Sequence, residues 1–229
     1  MTIDPRLKDF SGVVPLFPLP KVVLFPGARI PLRIFEPRYR EMVLDAESKD
    51  RLIAMILPKK GDEEDVGLRE LHDVACLAQM QKLQRLPDGC FLMQLAGLQR
   101  VKIRREVKGD TPFRLAFVDL MPDYLNPLEG IQGHKLVEEV VETFNLVLKR
   151  LADLPGSIVN TKRNAPPGLL LDVMSYYLPS DAFLKQKLLE ESDVFKRGRL
   201  LLAILRELAT ALPSHAPARL RLFPKPSRN

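Results

Sequence analysis

The chain has 229 residues, 46% hydrophobic and 28% charged, a globular mix that excludes wholesale disorder and collagen-like repeats and allows one large domain or two small ones. Met1-Thr-Ile-Asp-Pro-Arg-Leu-Lys8 carries charge where a secretory signal needs an apolar run. No apolar run is longer than the six residues of Leu200–Leu205, far short of the ~20 that cross a bilayer, so a soluble, cytoplasmic protein is expected. The net charge of +6 is concentrated at one end: residues 213–229 hold Arg219, Arg221, Lys225 and Arg228 and no acid, and removing those four from the 35 basic residues leaves 31 against 29 acidic. A nearly neutral body with a flexible, solvated basic tail is the reading, which weakens a nucleic-acid assignment.

The first half is written in short β-like phrases punctuated by proline. Val13–Pro20 is too proline-rich for a central strand and is expected at an edge or as a lead-in segment. Val22–Phe25 reads as a strand closed by Pro26-Gly27. Arg29–Phe35 alternates, with Ile30, Leu32 and Ile34 on one face. Pro37 opens a short helix at its first position, with Tyr39, Met42 and Val43 at helical spacing. Arg51–Leu57 is a continuous apolar strand, and Pro58–Leu71 is a charged, glycine-containing loop. Asp73–Arg85 and Cys90–Arg104 form a long hairpin about Leu86-Pro-Asp-Gly89, with a bulge expected at Gly97-Leu98. Phe113–Met121 is the last predicted strand.

Pro122–Gly133 then reads as a linker, after which the apolar period becomes helical. Val137, Val140, Val141, Phe144, Leu148 and Leu151 predict an amphipathic helix over His134–Asp153. Further helices are expected over Leu169–Leu178, from Ser180-Asp181 to about Glu190, and from Ser192 to Pro213, with Ser180 and Ser192 as caps. Strands followed by helices mean α+β. Cys90 is expected beside the hairpin turn and Cys76 about 36 Å away down the other arm if straight, so both are expected reduced.

The sequence lacks the phosphate-cradling Gly-x-x-x-x-Gly-Lys loop, the dinucleotide Gly-x-Gly-x-x-Gly loop and the Gly-x-Ser-x-Gly elbow. His72, His134 and His215 stand alone, without the neighbouring His or Cys of a zinc pair. No serine, cysteine or carboxylate pair has the partners that catalysis requires, so no catalytic residue, metal or cofactor is assigned.

Two blocks carry a specific resemblance: Pro15–Leu32, with its Pro-Gly-x-x-Ile-Pro-Leu run, and Gln79–Gly89 continuing through Ala96-Gly-Leu-Gln-Arg-Val-Lys-Ile103. Both resemble the amino-terminal, substrate-binding domain of the ATP-dependent protease Lon. Leu178-Pro179 and Lys185–Val194 resemble its helical part, so the likeness spans roughly residues 10–210. Ile34-Phe-Glu-Pro-Arg-Tyr-Arg40 is similar to the stand-alone bacterial versions. The resemblance implies a PUA-like β-barrel subdomain (10–122), a C-terminal α-helical bundle (123–212), a tail (213–229), and a role in contacting other proteins. The phosphate loop that Lon's ATPase needs is not found in this sequence, so neither the ATPase nor the peptidase activity of Lon is expected of it.

The leading expectation is therefore a non-catalytic protein-binding module for unfolded or partner proteins, with RNA binding as the alternative because PUA-like barrels include RNA readers. Binding to unfolded chains requires exposed apolar surface. Met80 and Leu98, expected to neighbour one another across the hairpin, are the first candidates, followed by Phe35 and Tyr39, with Phe17 and Phe25 behind them. For RNA, the basic candidates are Arg100, Lys102 and Arg104 on one strand face, with Arg105. No small-molecule substrate, membrane or nucleic-acid partner is the favoured one.

Overall fold

The computed structural model describes residues 4–59, 70–107, 109–151, 165–212 and 227–228. Six strands carry the first half: β1 (Val13–Pro18), β2 (Arg29–Ile34), β3 (Leu52–Ile56), β4 (Val74–Arg85), β5 (Phe91–Val107) and β6 (Leu115–Met121); helix α1 (Pro37–Glu47) lies between β2 and β3. The hydrogen-bonded order runs β4-β3-β1-β6-β5, and β4 also pairs with β5, so these five ladders return on themselves. β2 adds to the first part of β5 outside this cycle, and a two-residue strand, β7 (Ser227–Arg228), lies parallel to β2. The rest of residues 213–229, and the charged loop over 60–69, lie outside the described residues.

Side-chain alternation sorts the strands into two cores. Leu52, Ala54 and Ile56 of β3 join Val14, Leu16, Ala75, Leu77, Leu98, Val101, Ala116 and Val118 in a cluster enclosed by the five-strand cycle. Ile53, Met55 and Leu57, with Val74, Cys76, Ala78 and Met80 of β4, face the other way, into a larger cluster shared with β2, α1 and the helices of the second half. Burial on both faces is why β3 and the start of β4 read as unbroken apolar runs. The expected bulge is present: Leu77 pairs with Gln99 and Ala78 with Gly97, leaving Leu98 as the extra residue. Gly97 is needed there, since a Cβ would stand 2.2 Å from the Phe25 carbonyl oxygen.

β1 corrects the edge assignment. It lies between β3 and β6, but only Val13–Pro15 pair with β6 and only Leu16–Pro18 with β3. Leu16 N–H donates to Arg114 and Leu19 N–H to Ile56, so even-numbered residues address β6 and odd-numbered ones β3. Pro15 therefore turns its missing donor toward β3 just before that ladder begins, and Pro18 turns its own toward β6 after that ladder has ended. Val22–Phe25 is not a strand; Val23, Leu24 and Phe25 are buried without ladder partners.

The second half holds α2 (Gly130–Leu151), α3 (Pro167–Tyr177), α4 (Ala182–Glu190) and α5 (Val194–Ala211). α2 buries Val140, Phe144, Val147, Leu148 and Leu151 against the buried face of α5, and both belong to the larger cluster. The caps are Asp181 and Asp193, one residue beyond the serines expected in that role: each carboxylate accepts from two N–H groups of the first turn. Both cysteines are free and buried.

Candidate functional site

The segment between β6 and α2, expected to be a linker, is pinned in place. Tyr124 N–H donates to the Ser192 carbonyl at 2.9 Å and its own carbonyl accepts from Val194 N–H at 3.0 Å. Asn126 caps a short 3-10 turn over Pro127–Glu129 by accepting from Leu128 N–H at 3.1 Å. Arg199 of α5 grips Glu129 with two bonds of 2.8 and 2.9 Å, and this charge-assisted pairing holds the Glu129 carboxyl below the usual range. Fixed in this way, the segment holds large apolar side chains in solvent: Tyr124 is 44% exposed, Leu125 51%, Leu128 92% and Ile131 77%. Four exposed apolar side chains within eight residues, on a backbone pinned by hydrogen bonds, make this segment a candidate interaction surface.

Beside this strip runs a groove of about 560 Å³, within the size range of ligand sites. Its lining includes Tyr124, Leu125 and Pro127 of the segment, Pro166 and Leu169 at the α3 entrance, and Pro26 and Leu98. Leu98 packs in the enclosed cluster and, 7% exposed, also touches the groove.

The floor is ionic but compensated. Arg100 of β5, fully buried, donates to both carboxylate oxygens of the equally buried Asp172 of α3, to Asp123 at 3.1 Å and to the Leu189 carbonyl at 2.8 Å. Arg197 of α5, also buried, donates to Asp123 at 2.9 and 3.0 Å and to the Glu191 carbonyl at 2.6 Å, and its Nε lies 3.1 Å from Asp172. Two cations and two anions thus cancel, and four elements meet at one point. Burial pulls the Arg100 guanidinium down, but Asp172 more than restores it, so its pKa lies above the ordinary arginine value. Gly168 is required by this packing, since a Cβ there would stand 1.9 Å from Asp123 Oδ2.

Of the sequence candidates, Leu98 lines the groove, and Phe35, 43% exposed, lies at the end of β2. Met80 and Tyr39 are buried in the larger cluster, as are Phe17 and Phe25. Met80 pairs with Leu95, and the bulge sends Leu98 into the other cluster, so the two do not share a face. The basic face divides: Arg100 is in the buried network, Arg104 is ion-paired with Asp119, and Arg105 lies over the Phe117 ring at 4.2 Å. The sequence reading missed Tyr124, Leu125, Leu128 and Ile131; the available signal was four large apolar residues within a Pro-, Asn- and Gly-containing linker. Among the described residues, no group of three His, Cys, Asp or Glu could hold a metal ion, and no helix is long and apolar enough to cross a membrane.

The family model of the ATP-dependent protease La (LON) substrate-binding domain matches residues 13–207. The chain belongs to this family. It is 27% identical over 204 residues to Lon protease 2 of Myxococcus xanthus and 26% identical over 199 residues to Lon protease of Cytophaga hutchinsonii, covering 86% of this chain in each case. It spans 24% of the length of those two proteases. Among solved structures, the Lon N-terminal domain protein from Xanthomonas campestris superimposes with a TM-score of 0.57 at 22% identity, covering 83% of this chain and 97% of that one. The N-terminal domain of Mycobacterium avium complex Lon protease gives 0.59 at 17% identity, covering 85% and 98%. The fold is that of Lon N-terminal domains, and in this chain the groove lies where its strand-rich and helical halves meet.

Proposed function

We propose that this chain is a non-catalytic recognition module that binds extended, apolar segments of unfolded or partner proteins in the groove between β5, the 122–131 segment and α3. The carrying observation is the rigidly held strip Tyr124, Leu125, Leu128 and Ile131 beside a charge-compensated groove. Apolar surface is what unfolded segments of unrelated sequence share, and a preorganised backbone lowers the ordering cost of binding them. Membership in a substrate-binding family supports the same reading. In this view the closed strand cycle over 10–122 is a PUA-like barrel, 123–212 is a helical bundle, and the groove is their seam. Soluble proteins and peptides are the partners, in the cytoplasm, with no cofactor.

The chain has no tryptophan, so a tryptophan-containing ligand reports binding by its own fluorescence. A permanently unfolded protein, reduced and carboxymethylated, is expected to bind saturably with a blue-shifted emission. Leu125→Asp or Leu128→Asp should weaken it at least about tenfold each, the scale of an interface anchor. An unchanged spectrum at high chain concentration, or full affinity in both variants, would remove the proposal.

A further inference from the structure

The edge of β2 carries a second surface that shares no residue with the groove and does not rest on that reading. Gly97 N–H donates to the Ala28 carbonyl at 2.9 Å, so Ala28, Ile30, Leu32 and Ile34 address β5, while Arg29, Pro31 and Arg33 turn their backbone groups outward. Pro31 has no N–H to offer, a common guard on edge strands. The Arg29 carbonyl already accepts from Tyr176 Oη at 3.2 Å. The Pro31 carbonyl and both backbone groups of Arg33 remain at the edge. There the chain's own Ser227–Arg228 lies parallel, Ser227 beside Leu32 and Arg228 beside Arg33.

This cis strand matches its site poorly. It is two residues long against the six of β2, so few backbone bonds hold it there. The exposed face of β2 presents Arg29, Pro31 and Arg33, with exposed Phe35 next in the alternation. Arg33 also meets Asp88 at 2.6 Å, but that pair is solvent-exposed and weak. We propose that the β2 edge is a strand-addition site for an extended acidic peptide, occupied in cis by the displaceable Ser227–Arg228 strand. The fitting segment runs parallel to β2, sets Glu or Asp beside Arg33, and places a large apolar side chain two residues later beside Phe35. Backbone bonds then supply affinity and the two side chains supply selectivity.

The probes are fluorescein-labelled Ser-Val-Glu-Val-Leu-Thr and its counterpart with Lys in place of Glu, titrated against the full chain by polarisation. The Glu peptide should bind more tightly, and Arg33→Glu should reverse the order. Deleting residues 227–229 should tighten the Glu peptide by about threefold or more, because the backbone groups at the edge are then free of the competing cis strand. Leu125→Asp should leave both titrations unchanged. The proposal is overturned if Arg33→Glu keeps the Glu preference, if the 227–229 deletion leaves or lowers affinity, or if Leu125→Asp weakens the peptide, which would place it in the groove. Should Arg33→Glu fail to fold, Arg33→Gln must abolish the preference between the two peptides, and a preference retained there also overturns it.

Discussion

Arg100 is where a single side chain departs furthest from its expected place. Alternation put it with Lys102 and Arg104 on a solvated face, and alternation cannot reveal that Asp172, 72 residues on, covers it. Removing one partner of a buried ion pair leaves the other uncompensated, so Arg100→Met should lower unfolding stability by about 3–5 kcal/mol in urea titration. A loss no larger than that of an exposed substitution such as Lys102→Met would contradict the network's role. Lys185 offers a pH-dependent test. Its Nζ donates to the Tyr176 carbonyl at 2.7 Å, and burial lowers its pKa from 10.5 to about 8. Between those values the unfolded chain holds the proton and the folded chain has released it, so the unfolding free energy contributed by this group rises with pH across the window. Comparing wild type with Lys185→Met at pH 7, 9 and 10.5 should show the balance moving toward wild type as pH rises; a constant difference would place the ammonium in solvent.

Element by element, the periodic signals located most of the structure. The hairpin arms, β3, α1 and the last three helices lie within a few residues of expectation because each has one buried face or an apolar run of the right length. The Leu98 bulge was legible because Gly97 interrupts an alternating strand. Failures came where neighbours decide the outcome. The prolines of β1 are tolerated only because each of its halves pairs on one side, which no local pattern discloses. The cap of α5 is Asp193 rather than Ser192, and its carboxylate accepts from Phe195 and Lys196 N–H at 3.0 Å. Asp193→Ala should cost about 1 kcal/mol by thermal or urea unfolding, and Ser192→Ala much less. Equal losses would mean that the carboxylate does not set the start of the helix. Asp193 adjoins the Tyr124 pairing, so the same change should also weaken ligand binding by loosening the strip.

At the scale of the whole molecule, the larger apolar cluster draws on strands and helices alike, and the Arg100–Asp172–Arg197–Asp123 network joins them beneath the groove. The family likeness was legible in two motif blocks, but the surface was not, because a rigid exposed strip and a flexible linker have the same composition. What distinguishes them is the backbone pairing of Tyr124 with Ser192 and Val194, made across about seventy residues of sequence. The central claim is that unfolded polypeptide docks in this groove. Hydrogen–deuterium exchange of the full chain, with and without a saturating carboxymethylated unfolded protein, tests it most directly. Bound ligand should slow exchange over residues 123–131 and around 166–172. Unchanged exchange in both segments, with protection gained elsewhere or nowhere, would contradict it.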